Sequence, residues 1–113
     1  MPRITDAARI VYRNEMAAAR AAVTPEERWR HLERAHIASQ PSPWLHTCNH
    51  AAMLALALRQ RDRREAVGQV VRIVVAAPGS LTGRYPDGNT GRTAAGLTTP
   101  MPIPGDLAAA LSQ

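Results

Sequence analysis

Most side chains that could do chemistry lie in one stretch, from Trp29 to Met53. It holds all four histidines, the single cysteine and both tryptophans of a chain otherwise rich in alanine, arginine and aliphatic residues. His46 and His50 are four residues apart, so on a helix they share one face and can present two imidazoles to a single ion. We therefore expect any function of the chain to be concentrated in this stretch.

A carboxylate and a third imidazole share one face of the preceding segment. Glu33 and His36 are three residues apart, so a helix carries them on the same side. If a second helix follows the turn 41–43 antiparallel to the first, His36 becomes level with His46, and His50 lies about 6 Å further along. These four side chains suit a mononuclear divalent transition metal, namely Zn, Fe, Mn, Ni or Cu. The predicted ligands are His36, His46, His50 and Glu33.

Two interpretations without a metal stay open. Histidines four residues apart occur by chance on many helices, and Glu33 with His36 could form a buried hydrogen-bonded pair that needs no ion. His31 points about 140° away from His36 on a helix and is expected to be solvated. Cys48 lies across its helix from His46, which favours packing over a role as ligand or nucleophile.

Four helices are predicted to position these residues, because apolar side chains recur at helical spacing between capping residues and prolines. The predicted helices run from Thr5 or Asp6 to about Ala22, from Pro25 to about Ser39, from Pro43 to about Gln60, and from Asp62 to Ala77. Pro78-Gly79 is expected to end the fourth. The face that the first helix is predicted to bury consists of Ala7, Ile10, Val11, Asn14, Ala18 and Ala21.

The chain changes character after residue 77: six of its seven glycines and five of its nine prolines lie in the last 36 residues. Little regular structure is expected there beyond one or two helical turns in 106–111. The predicted fold is all-α: one domain, 1–113, in which a small antiparallel bundle of about four helices (6–77) is covered by an irregular Gly/Pro-rich segment (78–113). The apolar residues of that segment favour packing as a lid over disorder.

A polar stripe on the fourth predicted helix would come level with the histidines of the third. It consists of Glu65, Gln69 and Arg72, which are predicted to support the ligands or to be ligands themselves. A capping role for Glu65 and a surface salt bridge for Arg72 are the favoured alternatives. The turn 88–91 could cradle an anion with its backbone amides, but it follows no strand, so a structural turn is preferred.

Composition limits the partners and the location. The net charge of +5 comes from arginine alone, since lysine is absent; nucleic-acid binding is nevertheless not favoured, because too few aromatic residues are present for a stacking platform. No run of about 18 apolar residues could cross a membrane. One cysteine excludes an intrachain disulfide, and no secretory signal is recognisable, so a cytoplasmic location is expected. The alanine-lined first helix would leave flat surface to bury, which favours a homodimer.

Several motifs resemble a family of short bacterial proteins known as domain of unknown function 3703. The resemblance covers about Trp29 to Leu107 and rests on Ala35-His36 with Gln40, His46-x3-His50-x2-Met53, Arg64-Glu65-x2-Gly68-Gln69-x2-Arg72, Pro86-x-Gly88-Asn89-Thr90-Gly91 and Met101-Pro102-Ile103-Pro104. It implies a bacterial origin and a stand-alone small domain. It implies no mechanism.

Two functions of different classes follow from the residues. The first is a small cytoplasmic metal-binding protein with a His/Glu site between two adjacent helices; a metal-dependent enzyme that uses metal-activated water is a further form of it. The alternative is a basic helical module that binds a protein or nucleic acid, with the histidines structural. Metal content of untagged protein and salt-sensitive nucleic-acid binding would separate the two.

Overall fold

The computed structural model of the protein describes residues 3–113, which contain helices and no strand. The five helices are α1 (Asp6–Ala21), α2 (Pro25–Ser39), α3 (Pro43–Arg59), α4 (Arg63–Thr82) and α5 (Gly105–Leu111). In this bundle α1 packs against α2, α2 against α3 and α3 against α4, while α5 returns to α1. The predicted all-α fold is confirmed.

Side-chain caps fix where the four long helices begin. The first amide groups of a helix have no acceptor within it, so a preceding Ser, Thr or Asp oxygen stabilises its start. Thr5, Thr24, Ser42 and Asp62 each accept a hydrogen bond from the backbone amide three residues later. These are the caps and starting points that the sequence indicates.

The fourth helix does not end where the sequence predicts. α4 continues through Pro78 to Thr82 and ends at Gly83, which adopts the left-handed conformation with φ 71°. A proline removes one intrahelical hydrogen bond and usually kinks or ends a helix, but here the chain continues for another turn to a glycine that terminates it without strain. The extra turn brings Ser80 into the buried interior.

The first helix buries a different face from the predicted one. Its buried residues are Ala8, Tyr12 and Ala19, whereas Ile10 is 56% exposed. Val11 and Ala18 of the predicted face are partly buried, so the buried side overlaps the predicted face and is turned only part of the way round the helix from it. The reason is Tyr12, which packs with alanines of α2 and which the aliphatic pattern left out.

The main apolar core lies where the middle helices meet. Trp29 and Leu32 of α2 pack with Met53 and Leu56 of α3, all 6% exposed or less. Because α3 contacts both α2 and α4, its inward side is fixed on two flanks. Rigid packing on both sides of the α2–α3 turn is what holds the histidines of these two helices in register.

The Gly/Pro-rich segment packs on the bundle, as predicted. Leu107 of α5 is fully buried, and Arg34 of α2 forms ion pairs with both Asp106 and Glu15. Asn89, in the segment between α4 and α5, is 3% exposed. Across residues 3–113, none of the helices has the length and apolar character needed to cross a bilayer.

Candidate metal centre

Three histidines from two helices converge on one point in the interior. His36 Nε2 of α2 lies 3.0 Å from His46 Nε2 and 3.1 Å from His50 Nε2 of α3, and the two α3 nitrogens are 3.1 Å apart. All three side chains are buried. Three nitrogens bound to one ion at about 2.0–2.1 Å are about 2.9–3.4 Å apart for octahedral to tetrahedral angles. The observed triangle therefore has the size that one transition-metal ion requires.

The other ring nitrogen of each histidine faces an oxygen atom. His36 Nδ1 is 2.6 Å from the backbone oxygen of Asn89, His46 Nδ1 is 2.8 Å from Ser80 Oγ, and His50 Nδ1 is 2.7 Å from Gln69 Oε1. Metal-binding histidines commonly donate their second ring N–H to such an oxygen, which fixes the tautomer and the orientation of the ring.

Each of these oxygens can only accept. The Asn89 partner is a carbonyl, and the Ser80 hydroxyl already donates its hydrogen to the Gln40 carbonyl. The Gln69 amide is oriented by its nitrogen, which donates to Glu65 Oε2 and to the Gly91 carbonyl, so its oxygen points at the ring. Every Nδ1 therefore carries the proton, and every Nε2 of the neutral ring presents a lone pair.

Three lone pairs thus meet at about hydrogen-bond distance with no hydrogen between them. A proton on one Nε2 would relieve the repulsion, but it would place a positive charge in the interior. Burial lowers the pKa of His46 to about 3 and that of His50 to about 4, and it lowers the pKa of His36 well below its ordinary value. Neighbouring imidazoles contribute to these shifts for His36 and His46, and Arg72 contributes to that of His50. The histidines are therefore neutral at pH 7 and free to bind a cation.

Gln69 links the centre to a buried carboxylate. Burial alone raises the pKa of Glu65, but hydrogen bonds from Arg92, Gln69 and Thr93 lower it to about 2. The Arg92 guanidinium, 2.8 Å from Glu65, also stacks 3.7 Å from the Trp29 ring. The Glu65 carboxylate is therefore ionised, and the adjacent Arg92 guanidinium balances its charge. The Glu65 side chain supports Gln69 and does not have the capping role that the sequence favoured for it, because the cap of α4 is Asp62, which accepts from the Glu65 backbone amide.

Glu33 does not join the three histidines. Among the described residues, only His36, His46 and His50 form a group of His, Cys, Asp or Glu ligand atoms that all lie within 4.8 Å of one another. Burial raises the pKa of Glu33, and the charge of Arg92 offsets only part of this rise. Three residues along a helix correspond to about 4.5 Å of axial rise, so sharing the His36 face did not suffice to bring Glu33 to the meeting point.

The remaining sequence candidates lie outside the centre. Arg72 is 8% exposed and donates to the carbonyls of Gly68 and Ala95, so it is not the surface salt bridge that the sequence favoured. His31 pairs with Glu15 at 2.7 Å and is only half-buried. Cys48 is a partly exposed free thiol outside the histidine group.

The turn 88–91 holds His36 in place. The Asn89 side chain donates to the carbonyls of Gly96 and Thr99 and accepts from the Gly91 amide, which fixes its backbone carbonyl against the imidazole. Gly91 has φ +81°, and a Cβ there would be 2.5 Å from His36 Cδ2. The turn is structural, as preferred from the sequence, but its contact with the ring was not foreseen.

A pocket of about 500 Å³ opens beside the three histidines. Its lining combines the imidazoles with apolar side chains and two arginines. The lining includes Arg72, Val75, Pro78, Arg84 and Leu97. A ligand in this pocket would lie against the side chains of all three histidines.

The family model described as "Protein of unknown function (DUF3703)" matches residues 6–111. No curated protein and no solved structure matches the chain.

Proposed function

The chain belongs to this family of proteins of unknown function, and we propose from the site alone that it is a small cytoplasmic metal-binding protein. His36, His46 and His50 would hold one divalent transition metal through Nε2. Glu33, part of the ligand set expected from the sequence, is left out of the proposal because it is not in the histidine group.

The observation that carries this proposal is the set of oxygens that face the Nδ1 atoms, two from α4 and one from the turn after it. Because these oxygens accept hydrogen bonds, we infer that every proton is on Nδ1 and that the three unprotonated Nε2 atoms face one another at 3.0–3.1 Å. A buried arrangement in which lone pairs meet is unfavourable unless a cation lies between them. A purely structural histidine cluster would gain more from tautomers that hydrogen-bond with each other.

The donor set favours ions that bind imidazole well. Three neutral nitrogens without a carboxylate suit Zn, Ni, Cu or Fe, and Mn less well, since Mn prefers oxygen ligands. Three protein ligands leave at least one coordination position for water or substrate, as catalytic zinc sites do. When bound, such an ion can polarise a ligand or lower the pKa of a water molecule, which is the basis for proposing a metal-dependent enzyme as the finer form of this function.

The metal content of untagged protein tests the proposal. We expect about one ion per chain, measured by elemental analysis after purification without a nickel column. Replacing His46 and His50 together by alanine should abolish binding, while His31→Ala, outside the group, should retain it. Gln69→Leu removes the His50 acceptor and should weaken metal affinity by about 10–100-fold.

Two results would overturn it. One is metal-free protein that takes up none of Zn, Ni, Cu, Fe or Mn in titration. The other is uptake that survives the double histidine variant. Salt-sensitive nucleic-acid binding by such a metal-free protein would support the alternative, in which the net charge of +5 serves a basic interaction module.

A further inference from the structure

We infer that the pocket beside the histidines binds a small organic carboxylate whose charged end meets the metal and whose apolar end meets the pocket wall. The inference rests on the proposed metal site and names the class of ligand that completes it. It draws on three properties of the site: uncompensated positive charge, free guanidinium hydrogens and apolar lining.

The first property is charge. Three neutral imidazoles would leave the charge of a divalent ion unbalanced, and the only charged residues among the described pocket lining are Arg72 and Arg84. The carboxylate of Glu65, joined to the centre through Gln69, is already paired with Arg92. An anion is therefore the ligand that would balance the charge of the loaded site.

The second property is that the two arginines of the pocket have N–H donors available for a ligand. Arg72 is more than nine-tenths buried, and its recorded hydrogen bonds, to the Gly68 and Ala95 carbonyls, use two of its five N–H donors. Within residues 3–113 neither Arg72 nor Arg84 forms an ion pair with a carboxylate. Guanidinium groups of this kind suit a carboxylate or another planar oxyanion.

The third property is the apolar wall, which separates an organic anion from hydroxide or inorganic phosphate. Val75, Pro78 and Leu97 line the same pocket as the arginines, and its volume of about 500 Å³ far exceeds what one small inorganic ion fills. Leu97 is 47% exposed and Val75 is 45% exposed, so both have apolar surface available to a ligand. A ligand with a charged head and an apolar body would use both sides of the pocket.

Cobalt-loaded protein makes the test direct, because the visible spectrum of Co(II) changes when a ligand enters its coordination shell. The probes are benzoate, acetate and inorganic phosphate, titrated into protein carrying one Co(II) per chain. We expect saturable spectral change with benzoate and an affinity at least tenfold higher for benzoate than for acetate, since the ring buries apolar surface. Phosphate, which lacks an apolar body, should bind more weakly than benzoate.

Matched variants locate the binding. Arg84→Gln changes an exposed side chain and should weaken benzoate binding by about tenfold, as loss of a charge-assisted hydrogen bond does, while Co(II) affinity stays the same. Arg72→Gln should have the same effect if its circular dichroism shows an intact fold. Arg63→Gln, on the first turn of α4 outside the pocket, is the control and should change neither. Leu97→Ala should weaken benzoate more than acetate.

The outcomes separate this inference from the metal proposal. If Co(II) does not bind, the proposed function fails. If Co(II) binds but none of the anions alters its spectrum, the carboxylate pocket is refuted while the metal site stands. Equal affinities for benzoate and acetate, or stronger binding of phosphate than of benzoate, would refute the apolar part of the ligand.

Discussion

Acidification should destabilise the metal-free protein as the pH falls from about 6.5 to about 4. The pKa of His46 is about 3 and that of His50 about 4 in the folded chain, and that of His36 is also well below 6.5, because all three are buried. Unfolded histidine has a pKa of about 6.5. Between pH 6.5 and about 4 the unfolded chain binds protons that the folded chain does not, so stability is present above this range and is lost as the pH falls through it.

The size of the loss follows from these values. Each histidine that stays neutral in the folded state lowers the free energy of unfolding by about 1.4 kcal/mol per pH unit below 6.5. Between pH 8 and pH 5 this amounts to about 2 kcal/mol. Three such histidines lose about 6 kcal/mol together. A domain of ordinary stability has about 5–15 kcal/mol in total, so the loss by pH 5 should amount to at least about two-fifths of the free energy of unfolding.

Urea unfolding in the presence of a chelator, at pH 8 and pH 5, measures this loss. His50→Gln removes one titrating ring and should reduce it by about 2 kcal/mol, whereas His31→Gln, outside the cluster, should leave it unchanged. Burial raises the pKa of Glu33, so its contribution has the opposite sign, but it is common to all variants and cancels in their comparison. Equal losses in the wild type and in His50→Gln would refute the idea that the buried rings are held neutral.

Two further predictions concern the turn at the site and the oligomeric state. Gly91→Ala places a Cβ 2.5 Å from the His36 ring at φ +81°, so it should lower metal affinity, measured by calorimetry, at least tenfold. Gly105→Ala is the control, because a Cβ there meets nothing within 4 Å, and it should leave the affinity unchanged. Equal affinities of the two variants would contradict the ring contact. The sequence placed the homodimer surface on α1, but we propose that the dimer forms through Val67, Val70 and Val71 of α4, which are exposed and lie outside the pocket. In sedimentation equilibrium Val70→Glu should give monomers and Ala17→Glu, on α1, should not. A monomeric wild type, or monomers only with Ala17→Glu, would rule out α4 as the interface.

Local signals were enough to predict the elements of the fold. The caps Thr24, Ser42 and Asp62 each satisfy the first amides of a helix without help from distant residues, and the helices begin where these caps indicate. The convergence of the histidines could also be anticipated, because a short turn between α2 and α3 makes them antiparallel neighbours. Positions at similar distances from that turn are then at similar heights, and His36, five residues before it, meets His46, three residues after it.

Long-range packing accounts for what could not be predicted. The side of α1 that is buried depends on where Tyr12 finds space against α2. The course of α4 beyond Pro78 depends on the Gly83 terminator, although the sequence offered the proline as a stronger stop. Ser80 and Asn89, which fix two of the three rings, lie 34 and 53 residues from their histidines. A spacing pattern carries no information about contacts at that separation, so neither residue could be assigned a role.

The oxygens that accept from the Nδ1 atoms belong to other elements than the histidines do, and this affects how the metal ligands are formed. The α2–α3 hairpin supplies all three Nε2 atoms, but the oxygens that place their lone pairs come from α4 and from the turn that follows it. The hairpin alone would leave the tautomers free, and at least one Nε2 could then carry a proton and hydrogen-bond to its neighbour. Packing of α4 and of the turn after it against the hairpin is therefore what converts a histidine cluster into a set of three ligands. An ion bound there would stabilise the packed chain by the free energy of its binding, so metal occupancy and this packing should rise together.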